Sequence, residues 1–552
     1  MTRSLNSQHS PFIISIVLEL LQQYFVFNPE APLIFNTGLF LVLFTAFYAI
    51  YLLTKQHANF RLIYVLLFSL FFYYKSSGFH FGLLIASTIL DYLLGLAMYR
   101  CDENQRRKRL FYLVLSMVGN LGMLAFFKYT DFFILIYNDL SGAGLPLLDL
   151  ALPVGISFFT FQTMSYSIDI YRGELKPSKN IFEFAFFVSF FPQLVAGPIV
   201  RAKDFIPQIR EKLTLNDRDL GFAFWLIIGG LFKKAIVSDY ISTNFVDRIF
   251  ANPLQYSGAE NLMAVYGYTI QIYCDFSGYS DMAIGLALLM GFKLPPNFHA
   301  PYQSKSITEF WRRWHISLST WLRDYLYISL GGNRKGGFGS IFFSLAFMAL
   351  FYIMMPSVWL LIGYGILIAI ALLYYLMGGP KVKANLFTYL NLAVTMLLGG
   401  LWHGASLRFV FWGALHGGAL ALERMLKPLT SKWKGNLLIK FLGWFWAFHF
   451  AAFCWIYFRA FTFEDANAMI WQIAVDLDWT HIPVVIMAYH KVFIILGIGY
   501  LIHFYPPRFE KWLQDLFINI PWAFQGILLA FYVWLVLQIV GTEAHPFIYF
   551  DF

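Results

Sequence analysis

Two histidines suggest the first chemistry in this sequence. His403 lies in GGLWHGAS (399–406), directly after an apolar run that contains FTYLNLAVTML. The Gly399-Gly400 pair and the new run starting near Ser406 put Trp402-His403-Gly404 at a break between segments, where a ring can face a cavity. Burial favours the neutral imidazole with one free nitrogen, as a general base for hydroxyl attack requires. The plainer alternative is a buried histidine satisfied by a carbonyl near a helix end, and the local sequence leaves both open.

His315 lies in the densest polar stretch, HAPYQSKSITEFWRRWHISLSTWLRDYLYISLGGNRK (299–335), which is too charged to span a bilayer. Ile307, Trp311, Trp314, Leu318, Trp321 and Tyr325 recur every three or four residues, with Glu309, Arg312, Arg313 and Arg323 opposite. That period predicts one amphipathic helix on the cytoplasmic membrane surface, with His315 toward its apolar side. A hydrogen-bonded histidine between tryptophans is the alternative there, and His416 in ALHGGAL reads as a packing residue.

Other polar groups are weaker candidates. Asp275 and Asp281 in CDFSGYSDM are six apart, near opposite sides of an ideal helix, so they make no acid–base pair. They can cap a broken helix or orient a histidine; a paired structural role is the leading reading. Gln193 and Arg201 bracket LVAGPIV and can line a funnel. Arg312, Arg313, Arg323, Arg334 and Lys335 can attract phosphates or anionic lipid. Cys101, Cys274 and Cys454 are far apart and suggest neither a disulfide framework nor a metal site.

The elements that must position these groups are membrane helices. The chain is 59% hydrophobic, 20% aromatic and 13% charged, against roughly 25% charge in soluble domains. Apolar runs recur from 38 to 541, predicting about eleven crossings with re-entrant and interfacial pieces between them. Runs 261–290 and 340–378 are each long enough for an extended helix or a helical pair. The net charge of +9 sits in loops and gives topology, not nucleic-acid binding. KQHANFR (55–61) and RCDENQRRKR (100–109) should be cytoplasmic, since SSGFH between them and the earlier FNPEAP lack Lys and Arg. RFEKW (508–512) is then inside and the base-free tail 541–552 outside. YRGELKPSKN and RAKDFIPQIREK are both basic yet flank one run containing Pro192, Gly197 and Pro198, which predicts a re-entrant hairpin.

No cleavable signal peptide is visible, because no small-residue site follows IISIVLELLQQYFVF. Residues 1–32 read as an extension, with Ile14, Val17, Leu18, Leu21 and Phe25 at helical spacing for a surface-lying helix. Residues 33–552 read as one integral-membrane domain. No internal repeat is visible, which disfavours the duplicated architecture of many transporters.

EFWRRWHISLSTWLRDYLYISLGGNRKGG, GGLWHGAS, CDFSGYSDMAIGLALLMGF and FVSFFPQLVAGPIVR together resemble the membrane-bound O-acyltransferase family. The resemblance covers residues 33–540 and is to the branch of bacterial alginate and peptidoglycan O-acetyltransferases. It implies an all-α polytopic fold, helices around a central pore, a cytoplasmic funnel for the donor and an outer opening for the acceptor. It places His403 at the family's embedded catalytic position and His315 at the second functional histidine. Trp314, Trp402, Arg312, Arg313, Asp275 and Gln193 complete the expected substrate-binding set, with no metal and no bound cofactor. By the resemblance, acetyl-CoA or an acyl-carrier thioester is the donor substrate. His403 would take the hydroxyl proton while His315 polarises the thioester carbonyl or positions the donor, and an acetyl-histidine intermediate stays open. The expected partners are membrane lipid and a periplasmic serine-hydrolase-like transferase or small carrier, with no nucleic acid, at a bacterial inner membrane. The rival readings are a flippase for a lipid-linked sugar, D-alanyl-type transfer to an envelope polymer, and a scaffold for a periplasmic transferase.

Overall fold

A computed structural model describes residues 22, 24–102, 104–430 and 435–540. The expected N-terminal helix through Ile14 and Leu21, and the tail 541–552, lie outside the described residues. Within them the chain forms helices and no strand.

Six helical stretches are long and apolar enough to cross a bilayer: Ala58–Tyr99, Arg106–Ser141, Asp217–Ala251, Val358–Met377, Val382–His403 and Leu437–Arg459. Two bent pairs, Ile482–Ala488 with His490–Phe504 (91°) and Pro507–Ile518 with Trp522–Trp534 (109°), raise the number to eight. The protein is a multi-pass membrane protein, but the eleven crossings expected from apolar runs are not reached among the described residues. One reason is that some runs pack inside the protein and do not face lipid. Nearly every residue of the 17-residue Ile156–Arg172 helix is buried, and so are most of those in Gly258–Leu289.

Run 261–290 belongs to that single 32-residue helix, started by a capping box in which Ser257 Oγ accepts from Glu260 N–H. Run 340–378 is a helical pair, Phe338–Met354 and Val358–Met377, and the second member has no buried residue, so it faces lipid. The run between the basic segments gives only the nine-residue Ile181–Ser189 helix, about 14 Å long. It stops at Phe190, two residues before Pro192, and a four-residue turn follows. This piece is too short to cross, as the re-entrant reading expects.

The 299–335 stretch departs from expectation. It is not one surface helix but Ile307–Arg313, then Ile316–Trp321, then a π-helical turn over Leu322–Tyr327. The break falls at His315, whose φ of 42° is left-handed. Asn297 imposes it from outside the segment: its backbone oxygen accepts Ile316 N–H and its side-chain oxygen accepts Ser317 N–H, capping the second helix. Phe310, Trp314 and Leu318 are all 1% exposed, so apolar residues meet protein on every side and the stretch is drawn inward.

Candidate active site

His403 is the last residue of the Pro380–His403 helix, and the next helix begins at Leu407. The two helices pack at backbone distance. A Cβ on Gly400 would lie 2.1 Å from Phe409 O, and one on Gly413 2.2 Å from Met396 O. The imidazole is 3% exposed and ringed by Trp402, Trp412 and Phe458, with centroids 5.0, 5.2 and 5.3 Å away.

The carbonyls at this helix end need donors, and the Arg106–Ser141 helix supplies them. Lys128 Nζ donates to Trp402 O (2.8 Å) and His403 O (2.9 Å), and Tyr129 Oη to Leu401 O (2.8 Å). Lys128, residues 152–158, Val195, Trp402 and His403 line a cavity of about 480 Å³ including its open mouth.

His315 also packs on Trp402, whose indole is 5.0 Å from His403 and 6.2 Å from His315. Residues 88 apart in sequence thus share one aromatic neighbour. His315 is fully buried, and burial pushes its ring down to about 3, so it is neutral. Phe276 packs at 4.5 Å and Phe158 at 6.4 Å. Its Nδ1 is 3.1 Å from Asn297 Oδ1, and its Nε2 has no hydrogen-bond partner among the described residues.

The tautomer follows from the neighbours. Asn297 Oδ1 accepts Ser317 N–H (3.2 Å), and a backbone nitrogen can only donate, so the amide cannot be flipped. Nδ1 of His315 must therefore carry the proton, and Nε2 holds the lone pair. A neutral His315 has no N–H left for a carbonyl, so the polarising role expected for it does not fit this ring. Trp402 Nε1–H, buried and without a hydrogen-bond partner among the described residues, is a donor beside both histidines.

An aromatic column leads away from the cavity. Phe161 stacks on Trp402 (5.3 Å) and on Trp321 (3.7 Å), and Trp321 Nε1 donates to Phe161 O. Four residues on, Tyr325 Oη donates to Asp169, and Arg172 and Arg201 lie over its ring at 5.4 and 5.5 Å. The Ile156–Arg172 helix thus runs from the cavity to a charged cluster in which Arg201 pairs with Asp324, about 26 Å for its 17 residues. Arg109, in the first turn of the Arg106–Ser141 helix, donates to Tyr171 O at that end.

The other expected residues scatter. Trp314 is buried beside Trp455 (5.0 Å), one residue from His315. Asp275 pairs with Lys234 (2.5 Å), which also holds Asp239 (2.8 Å), so it sits in a buried ion cluster and does not line the cavity. Gln193 Nε2 donates to Phe187 O (2.6 Å), and it is Val195, two residues on, that lines the cavity. Arg313 pairs with Glu309 (2.6 Å), Arg312 is exposed, and neither lines the cavity. His416 accepts from Trp311 Nε1 (3.3 Å), as a packing histidine would. Sequence reasoning missed Lys128 and Asn297. The signal for Lys128 was present, because it is the one base between 110 and 141.

The sequence model of the membrane-bound O-acyltransferase family matches residues 171–377. The peptidoglycan O-acetyltransferase of Helicobacter pylori is 34% identical over 79% of this chain and 78% of its own length. The chain belongs to the membrane-bound O-acyltransferase family. A probable alginate O-acetylase of Pseudomonas putida is 35% identical over 94% of this O-acyltransferase and 100% of its own length. The teichoic acid D-alanyltransferase of Bacillus subtilis is 27% identical over 54% and 67%. In this O-acyltransferase, His315 lies inside the matched segment and His403 beyond it.

Proposed function

We propose that this O-acyltransferase moves an acetyl group from a cytoplasmic thioester, acetyl-CoA or an acyl carrier, to a hydroxyl at the outer face of a bacterial inner membrane. The modified polymer is an alginate-like exopolysaccharide or peptidoglycan, the substrate classes in the names of its acetyl-transferring relatives. The observation that carries the reading is His403 at the end of a span, on an open cavity, with its helix end tied down by Lys128.

The hydroxyl oxygen attacks the acetyl carbonyl carbon, His403 takes the hydroxyl proton, the C–S bond breaks and the thiolate leaves. Trp402 Nε1–H supplies a hydrogen bond as the carbonyl oxygen becomes negative. His315, Trp314 and the residues around them serve the donor side. Arg172, at the far end of the aromatic column, takes over the phosphate-attracting role expected of Arg312 and Arg313, since Arg201 beside it is paired with Asp324.

A cavity this size admits a side chain more readily than a polymer. A periplasmic serine-hydrolase-like protein or small carrier therefore receives the acetyl group and passes it on. The test is reconstitution in liposomes with acetyl-CoA inside and glycan outside, with and without the periplasmic partner. His403→Ala should cost about 10²–10⁴-fold in transfer at normal membrane levels. Unimpaired transfer by that variant would defeat the assignment of His403.

A further inference from the structure

Ser157 is a polar residue of the cavity to which the reaction above gives no task. It lines the same cavity as His403 and is 8% exposed, and neither its hydroxyl nor its backbone N–H makes a hydrogen bond among the described residues. A buried polar group without a partner carries a cost that a structural serine avoids. Two serines further along the same helix avoid it: Ser165 Oγ donates to Gln162 O (2.7 Å) and Ser167 Oγ to Asp91 Oδ1 (2.9 Å).

The start of the Ile156–Arg172 helix explains the free N–H. Of its first four N–H groups, that of Ile156 donates to Pro153 O and those of Phe158 and Phe159 to Gly155 O, while Ser157 N–H has no acceptor among the described residues. An N-cap side chain would ordinarily accept from this second helical position, but the N-cap is Gly155. Only glycine fits there, because its φ is 72° and a Cβ would lie 2.4 Å from Leu194 O. The positive end of a 17-residue helix thus borders the cavity with an N–H and an O–H on one residue, and Lys128 adds a full charge to the same wall. Phe158, the next residue, packs against the Trp402 indole at 5.5 Å, so that donor-bearing ring lies beside the same helix start.

We propose that Ser157 is a catalytic residue whose N–H and Oγ–H, at the helix N-terminus, hold the oxygen of the acetyl carbonyl as it becomes negative. The inference rests on the acyl-transfer reading above and deepens it. A hydroxyl that gives its proton to His403 attacks within this cavity, so the acetyl carbonyl must stand in the cavity too. As the new C–O bond forms, the carbonyl π pair moves onto its oxygen, and Ser157 and Trp402 donate to it. The pair then returns, the carbonyl re-forms, the C–S bond breaks and the thiolate leaves with the bonding pair. Ser157 keeps its proton throughout, donating hydrogen bonds and forming no covalent bond. Charge on the oxygen is greatest at the tetrahedral stage, so these bonds act on kcat more than on binding.

The test uses the full-length protein in liposomes, with acetyl-CoA inside and, outside, alginate or peptidoglycan together with a periplasmic extract of the same cells. Ser157→Ala should lower kcat about 10²-fold with the KM for acetyl-CoA unchanged. Ser157→Thr, which keeps both donors, should recover most of that loss. Ser165→Ala, which removes a hydroxyl from the same helix away from the cavity, should stay within about threefold of wild type. Dithioacetyl-CoA gives a readout that a merely structural serine would not move, because its C=S sulfur is a poor hydrogen-bond acceptor. Wild type should prefer acetyl-CoA over it strongly, and Ser157→Ala should lose about 10-fold of that preference. A Ser157→Ala enzyme within about threefold of wild type, a loss confined to acceptor KM, or an unchanged preference for oxygen over sulfur would overturn the role of Ser157 and leave the acyl-transfer reading intact. A wild-type protein that transfers from neither acetyl-CoA nor an acetylated carrier protein would overturn that reading, and this role with it.

Discussion

Replacing Gly400 with alanine should disable the enzyme without touching a reacting group. The added Cβ would sit 2.1 Å from the backbone oxygen of Phe409, and backbone cannot rotate aside as a side chain can. Ordinary contact requires roughly 1 Å more, so the Pro380–His403 helix must slide or tilt against Leu407–Thr430. His403 is three residues beyond Gly400, less than one turn, and inherits nearly the whole displacement. A misplacement of about 1 Å costs on the order of 10²-fold in rate, or roughly 2.7 kcal/mol. The strain should lower stability by about 1–3 kcal/mol. Gly413→Ala meets Met396 O at 2.2 Å and should behave alike, whereas Gly418→Ala, with nothing within 4 Å, should stay near wild type. Initial rates of acetyl transfer in proteoliposomes and Tm in detergent measure both effects. A Gly400→Ala enzyme within threefold of wild type at normal expression would refute the idea that this backbone contact sets the position of His403.

Lys128→Met should lower kcat about 10- to 100-fold with donor KM unchanged, because two charge-assisted hydrogen bonds to the helix end are lost; steady-state kinetics decide. Lys234→Met leaves Asp239 and Asp275 facing each other in the interior, so it should cost about 3–5 kcal/mol of stability. An unchanged unfolding temperature would contradict that. Cysteines introduced at Gln105 and Lys335 in otherwise cysteine-free protein should be shielded from an impermeant external reagent, and one at Ala143 labelled. Labelling of Gln105 from outside would invert the orientation.

The parts of this site legible in sequence were those written in local signals. The break at His403 was readable because glycines and a new apolar run are adjacent in the chain. The proline-broken run at Pro192 is likewise local. Two things were not legible. Helical periodicity runs on through Trp314 and His315, since apolar residues at three- and four-residue spacing are equally satisfied by two short buried helices. What breaks the helix is Asn297, 18 residues upstream, whose oxygens replace the missing intrahelical carbonyls. The tie from Lys128 spans 275 residues and obeys no spacing rule. Arginines 312 and 313 were favoured for charge alone, but one binds Glu309 and the other is merely exposed. Charge in a sequence says nothing about which neighbour has already neutralised it.

The cavity bearing His403 and the cluster at Arg172 lie at opposite ends of one buried helix. In the orientation expected from the basic loops and with the proposed thioester donor, a proton taken by His403 would leave to the outside, while the departing thiolate would recover one from within. Each turnover of the proposed reaction then exports one elementary charge, which would make it electrogenic. Such a reaction would work against an inside-negative potential at about 2.3 kcal/mol per 100 mV, supplied by the proposed thioester. Acetylation of the envelope would thus slow as the membrane polarises and quicken as it is discharged, tying a surface modification to the energetic state of the cell.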